Sequence, residues 1–223
     1  MNLLTDQRRQ EEKERRRSDI LDATTLVARE HGLAGVTMDL VARQARLSRA
    51  LLYVYFRDRD ELFFGLCQRA LVLLRDRFQA AMTAVELGVD KARACGAAYL
   101  AFARELPVEF EALSRFEAHT PDVTNMAANE SACMLAGDDV HKLLINAIES
   151  GIRDGSIRSD VGPPAVVAVT LWGFTHGVLQ LAKTKANVLA HEGVAADQLL
   201  EHSLNMATRS IASDAAIARS VAP

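Results

Sequence analysis

The chain has 223 residues, 49% of them hydrophobic and 25% charged, with a formal charge of −3, an ordinary globular composition with enough apolar residues for a substantial core. Acids and bases alternate from Gln7 to Arg17, where an export signal needs an apolar run, and stretches such as Ala70 to Leu74 and Pro163 to Val169 fall short of the ~20 residues that span a bilayer, so a cytoplasmic location and no membrane partner are expected. Cys67, Cys95 and Cys133 are odd in number and have neither metal-ligand nor redox spacing, which argues against a disulfide framework and for buried thiols.

In chain order, the run Arg8 to Arg17 reads either as the first turns of a helix or as a basic arm, with Arg15, Arg16 and Arg17 open to phosphate contacts. From there Ile20, Leu21, Thr24, Val27, Ala28 and His31 share one helical face, and Gly32 is placed to end the helix in a left-handed conformation. Thr37 is a helix cap for Met38 to Ala45, with Asp39 near the positive end of the helix dipole. Ser48 caps a further short helix, Arg49 to Tyr55, so the two helices meet across the abrupt turn Gln44 to Leu47, which is helix-turn-helix spacing. Asp58 and Glu61 form a capping box for a long helix through Leu62, Leu66, Leu73 and Arg77. Beyond it the pattern predicts helices over roughly Lys91 to Leu106, Val108 to His119, Met126 to Asp154, Pro164 to Ala190 and Ala195 to Ser213. Pro107 is expected to open one of these and Gly155 to stop another. No segment reads as a strand ladder, and the fold class expected is all-α.

Net charge conceals a split. Residues 43–59 carry Arg43, Arg46, Arg49, Arg57 and Arg59 against Asp58 alone, whereas residues 61–223 carry 14 bases and 19 acids. Local basic charge is what a DNA footprint requires. On a helical wheel Leu52 and Phe56, helped by Leu47, fall on the side that can bury against Ile20, Val27 and Val41. Arg49, Ala50 and Tyr53 are left facing outward. An arginine there can donate two bonds to guanine O6 and N7, a small alanine lets backbone approach, and a tyrosine hydroxyl reaches phosphate or base.

The segment Thr37 to Leu62, TMDLVARQARLSRALLYVYFRDRDEL, resembles the DNA-binding segment of the tetracycline-repressor (TetR) family. The resemblance extends back through Ile20 to Ala23 and is carried by Gly32, Thr37, Val41-Ala42, Ala45, Leu47-Ser48, Leu52-Tyr53, Tyr55-Phe56, Arg59 and Leu62. It implies an N-terminal three-helix DNA-binding domain over residues 1–60 and a C-terminal helical ligand-binding and dimerisation domain over 61–223. It further implies that Thr37 and Ser48 bind phosphate from helix N-termini, that Arg49 and Ala50 meet base edges, that Tyr53 and Tyr55 brace the DNA backbone, and that Arg59 contacts phosphate. Arg43 and Arg46 complete the expected DNA-binding set. Four positions depart from the usual pattern: Arg46 stands where glycine is common, Leu51 replaces a threonine or serine, Arg59 a lysine and Ala28 a large aromatic.

In the second half, Gly151 to Asp160 and Leu171 to Gly177 are similar to a recurrent family pattern, which implies that the last two long helices pair across a twofold axis. Val166, Thr170, Gly173 and Gly177 supply a small-residue stripe, and Leu199, Leu200, Ser203, Met206 and Ser210 the facing surface. A small-molecule effector is expected among Phe102, Phe110, Phe116, Met134, Trp172 and His176, although aromatic and methionine side chains of this kind also simply fill helical cores. The function expected is a ligand-responsive regulator, a repressor by family default, that binds a pseudo-palindromic operator as a homodimer, with no cofactor. A metal sensor using His119, His141 and His176 with Cys95 or Cys133 lacks any local ligand spacing, and a DNA-coating protein would show no sequence preference. An enzyme is not expected, since no nucleophile elbow, phosphate-cradling glycine loop or zinc-protease motif is present.

Overall fold

The structure, a computed structural model, describes residues 3–120, 124 and 126–221. Among these residues the chain forms eleven α-helices and no strand: α1 (Leu3–His31), α2 (Met38–Gln44), α3 (Arg49–Tyr55), α4 (Arg59–Thr83), α5 (Gly88–Glu105), α6 (Pro107–Glu117), α7 (Ala128–Asp154), α8 (Pro164–Thr184), α9 (Ala186–His191), α10 (Ala196–Ile211) and α11 (Asp214–Val221). The all-α expectation holds. By packing the chain groups into two units, residues 1–71 with 106–136 and residues 72–105 with 137–223. The first unit takes in α1 to α3, the first half of α4, α6 and the start of α7.

The first unit is built on α1. Its helix runs through Arg8 to Arg17, resolving the two readings of that stretch, and stops at His31, where Gly32 takes φ 70°. One face of α1 carries Ile20, Ala23, Val27 and Ala28 into a core shared with Val36, Val41, Leu52, Phe56, Leu62, Leu66, Val108 and Ala112. Arg69 of α4 closes the outer edge, donating to the Asp22 carboxylate, the Leu21 carbonyl and the Thr25 hydroxyl. Cys67 and Cys133, 66 residues apart in sequence, are both buried in this unit and meet with their sulfurs 2.7 Å apart as free thiols. The sequence gives no hint of that meeting, because the pairing depends on how α4 and α7 pack rather than on spacing.

In the second unit α10 packs on α8 and on α5. Buried here are Phe78, Tyr99, Phe102, Leu144, Ile148, Ala168, Leu179 and Ile211. Gly88 of α5 lies against Gly151 of α7 so closely that an added methyl group would overlap the Gly151 backbone. After α7, Gly155 takes φ 74° and the chain binds the end of α10, with Arg158 N–H donating to the Ile211 carbonyl at 3.0 Å and Ser213 N–H to the Ser156 carbonyl at 2.9 Å. Burial pushes the Cys95 thiol up to about 12, so it packs as an apolar group.

Two expectations need correction. The helix expected over Pro164 to Ala190 breaks at Lys185, which carries φ −119°, and resumes as α9. The final helix ends at Ile211 and is followed by α11. By length and composition α8 is apolar enough to cross a membrane, although its uninterrupted apolar runs are short. Its apolar residues are punctuated by threonine, glycine, histidine and glutamine, yet no charge occurs before Lys183.

Candidate nucleic-acid interface

The helix-turn-helix assembles from caps outward. Thr37 Oγ1 accepts from the Leu40 N–H at 3.3 Å and Ser48 Oγ from the Leu51 N–H at 3.2 Å, each satisfying an otherwise orphaned donor. In both caps the hydroxyl oxygen is the acceptor, so its own proton remains available for a phosphate oxygen. Between the helices Arg46 takes φ 55°, the left-handed conformation that its glycine-like turn position implied. Leu47 N–H donates back to the Ala42 carbonyl at 2.9 Å and closes the turn. At the start of α4, Asp58 Oδ1 accepts from the Glu61 N–H at 2.9 Å. Glu61 Oε2 in return accepts from the Arg57 N–H at 2.8 Å, one residue earlier than a simple capping box requires.

The two faces of α3 separate as the wheel predicts. Leu52 and Phe56 are fully buried, whereas Arg49, Ala50 and Tyr53 are exposed, as are Leu51 and Val54. Arg43 and Arg46 are also exposed. Arg49 Nε lies 3.1 Å from Asp39 Oδ1, and its guanidinium carbon stands 5.8 Å from the centre of the Tyr53 ring. Tyr53 first and Asp39 second hold that guanidinium even more firmly protonated than an isolated arginine.

Two members of the expected set are less free. Tyr55 is half-buried and packs against the core cluster. Arg59 is half-buried, its carbon 5.3 Å from the Phe63 ring centre and its Nη1 3.5 Å from the Ala34 carbonyl. Arg17, read from sequence as open to phosphate, is instead an internal clamp. It donates to the Tyr55 carbonyl at 2.9 Å and to Asn129 Oδ1 at 2.8 Å, and lies 4.4 Å over the Phe56 ring. A cation there satisfies a carbonyl at the negative end of α3. Sequence reasoning missed this because the partners lie 38 and 112 residues away. Arg15 and Arg16 pair with Glu12.

The other expected residues fall elsewhere. Of the effector set, Phe110, Phe116 and Met134 belong to the first unit and Phe102, Trp172 and His176 to the second. In the second unit, Tyr99 Oη is 2.8 Å from His176 Nδ1, Gln180 Nε2 is 3.2 Å from His176 Nε2, and His141 meets Trp172 edge to face at 4.9 Å. In the first, His119 Nε2 is 2.8 Å from Glu130 Oε1. The three histidines thus take separate partners, and among the described residues no group of metal-ligating side chains converges. On α8, Val166, Thr170, Gly173 and Gly177 are all exposed, and Val169 and Leu181, not anticipated, widen their stripe. On α10, Met206 and Ser210 are exposed and Leu199 and Leu200 half-buried, but Ser203 is buried and turned inward, which removes it from that surface.

Residues 20–66 match the family model described as bacterial regulatory proteins, tetR family. The chain is 38% identical over 68 residues to the HTH-type transcriptional regulator BetI of Paraburkholderia xenovorans, an alignment covering 30% of this chain and 33% of BetI. It is 24% identical over 148 residues to the HTH-type transcriptional repressor KstR2 of Rhodococcus jostii, covering 66% of this chain and 70% of KstR2. The chain therefore spans about a third of the first of these relatives. Among solved structures, AibR in complex with isovaleryl coenzyme A and operator DNA superposes with a TM-score of 0.61 at 17% identity, covering 86% of this chain and 97% of AibR. A helix-turn-helix with its outer face open stands where the family model matches, so residues 20–66 form a DNA-binding module of the TetR type.

Proposed function

We propose that this regulator is a repressor that binds a pseudo-palindromic operator as a homodimer and is released by a small molecule. The observation that carries the reading is the division of α3, with Leu52 and Phe56 locked in the core while Arg49, Ala50 and Tyr53 face outward. In this reading Arg49 and Ala50 meet base edges in the major groove and Tyr53 reaches the backbone. Thr37, Arg43, Arg46 and Ser48 contact phosphates. Tyr55 and Arg59 serve mainly by bracing α3 and α4, with a secondary phosphate contact from Arg59.

Seven residues read only a few base pairs, so specificity calls for two copies on half-sites separated by ~34 Å or somewhat more. The outward stripe of α8 with Met206 and Ser210 of α10 supports a second copy of this chain as the occupant of that face. A methyl group added at Gly173 or Gly177 meets nothing in the same chain, leaving room for a helix to approach closely. The cytoplasm is the compartment this role implies.

For the effector, Phe102, Trp172 and His176 with Tyr99 offer aromatic surface and a few fixed polar groups in one unit, the mixture a small-molecule site uses. AibR's complex with isovaleryl coenzyme A makes acyl-coenzyme A thioesters the first probes to try. An effector acts here by favouring a conformation whose paired heads no longer fit adjacent grooves. The test is fluorescence anisotropy with labelled upstream DNA against random duplex. Arg49→Ala is expected to abolish the difference between the two, whereas Arg59→Ala weakens both alike; equal binding of both duplexes by the unaltered protein would end the proposal.

A further inference from the structure

Asp39 is an acid on a surface otherwise suited to phosphate. Among residues 37–57 it stands alone against Arg43, Arg46, Arg49 and Arg57, and it is exposed. Its charge repels the duplex, and an exposed ion pair adds little to stability, so neither affinity nor folding accounts for it well. Its place in the first turn of α2 gives it some favourable interaction with the helix dipole. The geometry, however, ties it to α3: Oδ1 sits 3.1 Å from Arg49 Nε, across the turn that joins the two helices.

Which nitrogen is taken matters. A guanidinium has five N–H bonds, one on Nε and two on each terminal nitrogen. With Nε paired to the Asp39 carboxylate on one side and Tyr53 lying against the guanidinium on the other, its ring centre 5.8 Å from the guanidinium carbon, the Arg49 head is held between two side chains, and the terminal nitrogens carry the donors it can turn toward a base edge. Two parallel donors match O6 and N7 of guanine in the major groove. An arginine without this anchor can swing to a phosphate, where it adds affinity but reads nothing.

We propose that Asp39 is a specificity-determining positioning residue, holding Arg49 by Nε so that its two terminal nitrogens meet one guanine in each half-site. This rests on the DNA-binding reading above. The experiment enriches bound sequences from a randomised duplex library with the unaltered full-length protein, Asp39→Asn, Asp39→Glu and Arg49→Lys, then titrates the winning duplex and its single-base variants. The unaltered protein is expected to select a guanine at one position of each half-site. Arg49→Lys keeps the charge but loses the fork, and Asp39→Asn replaces the charged anchor with a weaker neutral acceptor that can also turn its amide toward the guanidinium, so both should lower discrimination at that one base pair by about tenfold. Asp39→Asn should also bind random duplex more tightly, while Asp39→Glu restores part of the guanine preference. Matching circular dichroism melts for Asp39→Asn and the unaltered protein would rule out misfolding as the cause.

If Asp39→Asn selects the same guanine as strongly as the unaltered protein, the positioning role is wrong while the DNA-binding reading stands. A loss of preference spread over every position, rather than confined to one, overturns it equally. If the unaltered protein enriches no sequence at all, the DNA-binding reading fails first and this inference falls with it.

Discussion

Arg46 is the single non-glycine residue with positive φ among the described residues, and it sits in the turn of the helix-turn-helix. Its left-handed backbone strains an L side chain, while its exposed guanidinium adds charge beside the reading helix. Arg46→Gly should therefore act with opposite signs on two measurements. Stability rises by about 0.5–1 kcal/mol, seen as a higher urea midpoint, and duplex affinity falls with a salt dependence shallower by about one ion. A drop in both would show that Arg46 has a structural role not visible in its contacts. This residue was legible in the sequence, as were the caps at Thr37 and Ser48, because turn conformation and capping are decided within three or four residues. The Arg17 clamp on Tyr55 and Asn129 was not, since only the assembled unit brings those groups together.

The meeting of α5 and α7 at Gly88 and Gly151 leaves no space for a side chain. Backbone cannot yield as a flexible side chain does, so Gly88→Ala should lower the unfolding free energy by about 1–3 kcal/mol, measured by urea titration. By contrast, the same change at Gly96 meets only the end of Leu204 and should be milder. Burial also holds His141 and His176 below their ordinary value of 6.5, which disfavours their protonation in the folded chain. In the unfolded chain they take up protons near 6.5, so the unfolded state binds more protons as pH falls through that value. Stability is complete above it and declines below. The melting temperature should thus drop between pH 7.5 and 5.5, and His176→Gln should flatten the drop; an unchanged profile would mean that this histidine titrates freely. Helix existence and most helix ends were readable from period and punctuation. The break at Lys185 was not, because no proline or glycine marks it, and neither was the convergence of Cys67 and Cys133, which is a matter of helix packing.

For the whole chain, the telling feature is the largely solvent-facing surface of α8, without a charge before Lys183, where sequence reading expected only a stripe of small residues. Placing a long cation on it at Gly177→Arg, where nothing in the same chain obstructs, should leave helicity intact. Analytical ultracentrifugation should then report a monomer, and operator binding should weaken at least tenfold. A variant that remains dimeric would move the interface elsewhere. The division of the effector set between two units was the least readable part, since hydrophobic residues announce burial without saying which neighbours they meet. If two copies share the α8 surface, then dilution itself is a denaturant. The melting temperature of the unaltered protein climbs with its concentration while that of Gly177→Arg does not, and a cell holding few copies would keep part of its supply as unpaired subunits with an oily flank exposed.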